Sequence, residues 1–119
     1  MTGNRIHRVE ELIRDDLAAR LVHDVAETRT ALVTITEVRL TPDMRQARVY
    51  VSVFPDTADR EGILAALERR RGKLKGDMGR ALRIRHVPDL EFRLDETARR
   101  SQRIEDLLRG DPGRDPEKE

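Results

Sequence analysis

Eight lysine and arginine side chains stand close together in the second half of this 119-residue chain. Between residues 68 and 86 only two acids accompany them, whereas the formal net charge of the whole chain is +1. The eight cations are Arg69, Arg70, Arg71, Lys73, Lys75, Arg80, Arg83 and Arg85. Clustered cations bind nucleic-acid phosphates, because each contact releases a condensed counterion. A charge run is also typical of a solvated helix face, and the residues alone leave both interpretations open.

The composition indicates how such a surface would recognise a nucleic acid. Aromatic residues make up only 3% of the chain, so few rings are available to stack on unpaired bases. Recognition of backbone and shape in structured RNA therefore fits the sequence better than reading of single-stranded bases. Four arginines outside the run are weaker candidates for the same contacts: Arg5, Arg8, Arg45 and Arg48.

Other kinds of site have little support in the sequence. The absence of cysteine excludes disulfides, zinc–thiolate sites and thiol catalysis. The histidines His7, His23 and His86 lack the spacing of a metal-binding helix, and no P-loop, dinucleotide or serine-hydrolase motif is present. We expect no enzymatic activity, no metal or cofactor and no small-molecule substrate.

One short motif inside the basic run looks like a phosphate clamp. Gly76-Asp77-Met78-Gly79 matches the G-x-x-G pattern that holds backbone phosphates in one class of RNA-binding domain. However, Asp77 places a negative charge where a phosphate would lie, and Met78 belongs to an apolar stripe. We interpret this match as accidental.

The elements that must position the cations begin with an amphipathic helix over residues 4–22. Its predicted buried stripe consists of Ile6, Val9, Leu12, Ile13, Leu17 and Leu21. Residues 24–30 are polar and are expected to form an irregular loop.

Two β-branched segments within residues 32–54 predict a hairpin. Pro42 and Asp43 favour a turn between them, because proline fixes φ and aspartate can bond its own backbone. The first strand changes phase near Thr36-Glu37, which predicts a bulge. The second strand presents one apolar face at period two: Ala47, Val49, Val51 and Val53.

Residues 55–57 stop the second strand and can cap a helix, after which apolar residues continue at helical spacing to about residue 84. Gly72, next to three arginines, interrupts that spacing and predicts a kink between two helical segments. Leu90, Phe92 and Leu94 alternate with charged residues as a third strand. Residues 98–108 are expected to form a closing helix, and the charged, Pro/Gly-rich residues 110–119 a disordered acidic tail.

This order predicts one α+β domain over residues 1–109, with helices on one face of a three-stranded sheet. The connection between the second and third strands carries helices, so these strands are expected to be parallel. No apolar run approaches the ~20 residues needed to span a bilayer, and the N-terminus lacks an apolar signal-like region. We expect a cytoplasmic monomer without membrane contact.

The hairpin LVTITEVRLTPDMRQARVYVSV, the basic kinked segment, RIRHVPDLEFRLDET and RIEDLL together closely resemble bacterial ribosome-binding factor A. The similarity runs in order from about Arg5 to Leu108. It implies a type II KH-like fold, α-β-β-α-kink-α-β, in which an interhelical Ala-x-Gly kink replaces the KH G-x-x-G loop. Gly72 aligns with the glycine of that kink, but Arg70 occupies the alanine position, so the packing of the kink is expected to differ here.

The resemblance also implies a function. Members of this family bind the free small ribosomal subunit, act on its rRNA near the 5′ end during late maturation, and leave before translation. They have no enzymatic activity and are linked to adaptation to cold. We therefore expect the kinked-helix surface, including Gly72, to dock on rRNA while the hairpin fixes its angle.

Two other functions stay open on the residues alone. A generic KH-like nucleic-acid-binding module would bind unrelated structured RNA equally well. A protein-interaction domain that uses the open sheet face would show no salt-sensitive RNA binding.

Overall fold

The structure, a computed structural model, describes residues 2–55 and 58–96. Its helices are α1 (Thr2–Asp24), α2 (Arg60–Arg69) and α3 (Arg71–Leu82), with a 3₁₀ segment at Ala26–Thr30. Its strands are β1 (Leu32–Leu40), β2 (Gln46–Phe54) and β3 (Asp89–Leu94). The predicted closing helix at residues 98–108 and the tail at residues 110–119 lie outside the described residues.

The three strands form one mixed sheet in the order β1–β2–β3. β1 and β2 are antiparallel, whereas β2 and β3 are parallel, which confirms the prediction from the helical connection. The pairing of β1 with β2 shifts between Ile35 and Glu37, which confirms the bulge. Because the bulge changes the phase of β1, Ile35 and Val38 both point into the core although they are three residues apart.

The core lies on one face of the sheet. The period-two residues of β2 are all buried, as predicted, and Leu90 and Phe92 of β3 join them. α1 packs against β1 and α3, while α2 and α3 pack against β3. The observed architecture is therefore the predicted α+β arrangement, with the helices covering one sheet face.

The buried stripe of α1 is narrower than predicted. Ile13, Leu17 and Leu21 are buried, and Val9 is half-buried, but the side chain of Leu12 is 49% exposed. Neighbouring residues on a helix are about 100° apart, so Leu12 and Ile13 cannot both face the sheet. Including Leu12 in the stripe was wrong.

The polar residues after α1 form the 3₁₀ segment where an irregular loop was expected. The hydroxyl of the buried residue Thr28 lies within hydrogen-bond distance of the carbonyl oxygens of Leu21, at 2.8 Å, and Val25, at 2.7 Å. The Leu21 carbonyl also accepts from the Val25 N–H, and the Val25 carbonyl from the Thr28 N–H, so the hydroxyl adds a further link between the end of α1 and the 3₁₀ segment. Hydrophobic periodicity gives no signal for such a polar arrangement.

The predicted kink lies at Arg70, whose backbone angles are φ −99° and ψ 7°. Its N–H donates to the carbonyls of Ala66 and Leu67, ending α2, and its carbonyl accepts from Leu74, beginning α3. Gly72 already belongs to α3, and a Cβ at this position would meet no atom within 4 Å. The break is confirmed, but no steric contact at residue 72 requires glycine.

The other helix ends are set by single residues. Asp59 caps α2 by accepting from the N–H of Gly62 at 2.9 Å, two residues beyond the stop predicted at residues 55–57. Arg83 ends α3 in the left-handed conformation, with φ 55°, and its N–H donates to the carbonyl of Gly79. Left-handed residues are a common way to end a helix.

Two substitutions on α1 test the corrected stripe. Leu17→Ala should lower the free energy of unfolding by about 2–5 kcal/mol, because Leu17 is fully buried and its loss leaves a cavity. Leu12→Ala on the same helix should change it by less than about 0.5 kcal/mol. Urea denaturation monitored by circular dichroism measures both, and equal losses would contradict the assignment.

Candidate nucleic-acid interface

A cleft of about 1030 Å³ opens beside the C-terminal end of α3. We call it the end cleft. Its cationic rim comes from four separate parts of the chain: Arg5 on α1, Arg45 before β2, Lys75 on α3, and Arg85 before β3, with the imidazole of His86 next to it in sequence. Four of the sequence candidates therefore meet in one place.

Parallel pairing explains why these segments meet. Because β2 and β3 run in the same direction, their N-terminal ends lie side by side. The N–H of Asp89 donates to the carbonyl of Arg45 at 2.9 Å, which joins the hairpin turn to the start of β3. The turn itself is held by the carboxylate of Asp43, which accepts from the Thr41 hydroxyl at 2.6 Å and from the Arg45 N–H at 3.1 Å.

The charge in the end cleft is predominantly positive. Within residues 2–55 and 58–96, Arg5, Arg45 and Arg85 form no salt bridge. Two carboxylates, Asp43 and Asp89, also line the cleft. The Thr41 hydroxyl and the Arg45 N–H lower the pKa of Asp43, so this carboxylate is charged and already bound to its own turn.

A second depression of about 440 Å³ lies beside the kink and β3. We call it the kink groove; it is lined by Gln46, Arg71, Gly72, Lys75, Asp89, Leu90 and Glu91. Lys75 and Asp89 line both depressions, so the two adjoin; together they are lined by five lysines or arginines and three acids, and we call them the basic trough. The ammonium of Lys75 lies 2.6 Å from the carboxylate of Asp89, where the two parts join.

Other cations of the central run lie outside the trough and are paired with acids. Arg69 and Arg70 contact the carboxylate of Glu27 at 3.2 and 3.3 Å. Lys73 lies 2.8 Å from Asp77, and Arg80 pairs with the same carboxylate. Their positive charge is partly neutralised in the folded protein.

The pKa values of these two acids reflect their partners. A hydrogen bond from its own backbone N–H and the charges of Arg70 and Arg69 lower the pKa of Glu27. A hydrogen bond from Lys73, together with Arg80, lowers the pKa of Asp77. Both acids are therefore charged at neutral pH and would compete with phosphates for these cations.

The remaining sequence candidates are dispersed. Arg48 lies on the open face of the sheet, 3.2 Å from Glu91. Arg8 on α1 and Arg83 at the end of α3 are exposed and line neither part of the trough. The cations predicted as one surface thus fall into a trough and several paired groups around it.

The positions of Gly76 and Gly79 agree with the interpretation of the G-x-x-G match as accidental. Gly76 and Gly79 both lie inside α3, and Met78 is fully buried. A Cβ at Gly79 would lie 2.5 Å from a methyl carbon of Val87, so this glycine lets the loop before β3 pack against the helix. Its role is packing beside the end cleft.

His86 and the apolar residues Met44 and Val87 of the end cleft were not among the sequence candidates. The predicted parallel pairing of the strands could have indicated these cleft residues. Parallel strands place the residues that precede each strand at the same sheet edge, and these residues include Arg45 and Arg85, which flank Met44 and His86 in sequence.

The described residues form neither a metal site nor a membrane-spanning helix. Residues 2–55 and 58–96 contain no group of three or more His, Asp or Glu side chains arranged to hold a metal ion. Among the same residues, no helix has the length and apolar character needed to cross a bilayer.

The Lys75–Asp89 pair predicts a pH effect. The Lys75 ammonium lowers the pKa of Asp89 from its ordinary value of 3.8. Because the folded-state pKa is depressed, the stability that the pair contributes is present above pH 3.8 and is lost as the pH falls through the folded value. Carboxyl NMR titration should show this depression, and Lys75→Met should reduce it, whereas Arg14→Met on α1 should not. A wild-type Asp89 pKa at or above 3.8 would contradict the pair.

Comparison with known proteins gives one consistent family. A family model described as ribosome-binding factor A matches residues 5–108. The ribosome-binding factor A of Brevibacillus brevis is 36% identical over 109 residues, which cover 92% of this chain and 90% of that protein.

Solved structures of the family share the fold. The crystal structure of ribosome-binding factor A from Thermus thermophilus is 30% identical, with a TM-score of 0.66, and the match covers 75% of this chain and 94% of that one. A homology model of the Thermus thermophilus protein, fitted into the cryo-EM map of a 30S–RbfA complex, is 32% identical with a TM-score of 0.51 over 68% and 93% of the two chains. The architecture is accordingly the type II KH-like fold, and this chain belongs to the ribosome-binding factor A family.

Proposed function

We propose that this chain binds the free small ribosomal subunit in the cytoplasm, as a monomer, and assists late maturation of its rRNA near the 5′ end without catalysing a reaction. The observation that carries the proposal is the likeness to a family member described in a 30S complex, which covers 68% of this chain. The basic trough supplies a surface of suitable charge for that partner. Slow escape of rRNA from misfolded states in the cold would make such a factor most useful at low temperature.

The physical basis of binding is electrostatic. Phosphates of rRNA bind Arg5, Arg45 and Arg85 of the end cleft first, because within the described part of the chain these three cations form no salt bridge that must be broken. Lys75 and Arg71 extend the contact toward the kink. These two cations are paired with acids of the protein, as are Arg69, Arg70, Lys73 and Arg80, so each joins at the cost of exchanging a carboxylate for a phosphate.

The sheet positions this surface by packing. β2 holds the hairpin turn at one end of the trough, and α3 covers the same sheet and carries Lys75. Packing of these elements fixes the backbone positions of the cations relative to one another, which favours shape recognition of a structured RNA.

A generic nucleic-acid-binding module is the less favoured alternative. It would share the trough, but it gives no reason for a likeness that extends through most of the chain to proteins named for ribosome binding. Equal affinity for small subunits and for an unrelated structured RNA would favour it.

Charge reversal tests the surface. One triple variant changes Arg70, Arg71 and Lys75 to Glu, and a second changes Arg5, Arg45 and Arg85 to Glu. Each should abolish co-sedimentation with small subunits. We expect affinity to fall by at least about a hundredfold, since each lost contact involves a charged hydrogen bond. The matched control reverses Arg14, Arg39 and Arg93, which lie outside the trough. If either triple variant keeps its fold by circular dichroism and binds small subunits as the wild type does, its three residues do not belong to the interface.

Asp89→Asn tests the competition between carboxylate and phosphate. Removing the ion pair with Lys75 should tighten binding to small subunits about two- to fivefold, because the free energy of one exposed ion pair corresponds to a change in affinity of that size. The slope of log affinity against log salt should also steepen by about 0.7–0.9, because the contact of Lys75 with a phosphate then frees no carboxylate that takes up a counterion in its place. Fluorescence anisotropy over a salt series measures both quantities. The control is Asp15→Asn, which removes the partner of Arg14 on α1. Weaker binding by Asp89→Asn would show that Asp89 itself contacts the partner.

A further inference from the structure

The floor of the end cleft is apolar, although its rim is cationic. Val9, Met44, Ile84 and Val87 line it, and each is half-buried. Val9, Ile84 and Val87 also pack against the core, and their exposed parts together with Met44 form an apolar surface that the phosphates of a duplex would not contact. The floor therefore indicates a ligand with both a phosphate and an apolar face.

The floor is held in place by the backbone. Met44 has a left-handed φ of 59°, and its N–H donates to the carbonyl of Thr41 at 2.8 Å. Val87 is seated against Gly79, where any Cβ would displace it. The residues on both sides of the floor are thus fixed before any ligand arrives.

The rim adds flat polar groups beside this floor. The side chains of Arg45, Arg85 and His86 are exposed next to Met44 and Val87. Guanidinium and imidazole planes stack on unpaired bases and at the same time bind phosphates. These side chains can therefore stack on a base although the chain contains few aromatic residues.

We propose that the end cleft receives one unpaired nucleotide of the RNA, with its base on the apolar floor and its flanking phosphates on the cationic rim. The proposal rests on the proposed function and narrows its ligand from structured RNA in general to a single-stranded position within it. An acidic peptide matches the rim charge, but it lacks the planar face that the arginine and histidine side chains can stack upon. The site lies beyond the C-terminal end of α3, away from the break between α2 and α3.

Met44 gives the sharpest test. Its side chain lies outside the packed core, and asparagine tolerates a left-handed φ, so Met44→Asn should fold normally. The probes are a fluorescein-labelled single-stranded RNA decamer and the blunt duplex formed with its complement. Met44→Asn should bind the decamer about fivefold more weakly, because a partly buried apolar contact is lost, and should bind the duplex as the wild type does.

Two further variants complete the experiment. Val87→Thr keeps the side-chain volume and should weaken decamer binding in the same direction. Leu12→Gln removes an exposed apolar side chain elsewhere, and binding should be unchanged.

The outcomes separate this inference from the proposed function. If Arg45→Glu with Arg85→Glu weakens binding to small subunits while Met44→Asn leaves decamer binding unchanged, the proposed interface is supported and the nucleotide site is contradicted. If the double reversal also leaves binding to small subunits unchanged, the interface and the nucleotide site are both contradicted. Equal wild-type affinity for decamer and duplex, or tighter binding of a glutamate decamer than of the RNA decamer, overturns the nucleotide site.

Discussion

The hydrogen bond from the N–H of Asp89 to the carbonyl of Arg45 begins the parallel pairing of β3 with β2, on which the rest of the structure depends. A second bond, from the N–H of Asp95 to the carbonyl of Val51, closes the same pairing at its other end. Between them the register places Leu90 beside Ala47 and Phe92 beside Val49, which completes the apolar face that the helices cover. The pairing also brings two distant loops together at the trough.

Glu68 connects this sheet to the kinked helices. One carboxylate oxygen accepts from the N–H of Phe92 at the outer edge of β3, at 3.2 Å, and the other lies 3.0 Å from the guanidinium of Arg71. At the opposite edge, the carboxylate of Glu10 accepts from the N–H of Leu40 at 2.8 Å. Helix side chains thus occupy backbone donors at both edges of the sheet, where unpaired donors would favour pairing with another chain.

Sequence patterns predicted the sheet well, because strand burial repeats at period two and the bulge disturbs that period visibly at Thr36-Glu37. They predicted α1 less well, since Leu12 and Ile13 are both apolar and only tertiary packing decides which faces the sheet. The structured turn at Thr28 escaped prediction because it depends on one buried hydroxyl rather than on hydrophobicity.

The sequence predicted which kinds of residue form the candidate interface, but not how these residues are arranged or paired. The sequence identifies Lys75 and Arg85 as part of a basic run, yet the structure pairs Lys75 with Asp89 and leaves Arg85 without a salt bridge among the described residues. Which cation has a carboxylate neighbour depends on contacts between residues far apart in the chain, as with Arg70 and Glu27. Linear charge counts cannot distinguish these cases.

The carboxylates that sit beside the cations have a kinetic consequence. On the proposed interface, a phosphate that left Lys75 or Arg70 would expose a cation that an acid of the protein itself can contact at once. Dissociation would then pass through an exchange of partners, with less need to hydrate a bare ammonium or guanidinium at the transition state. Such a surface would favour short residence times of a bound phosphate.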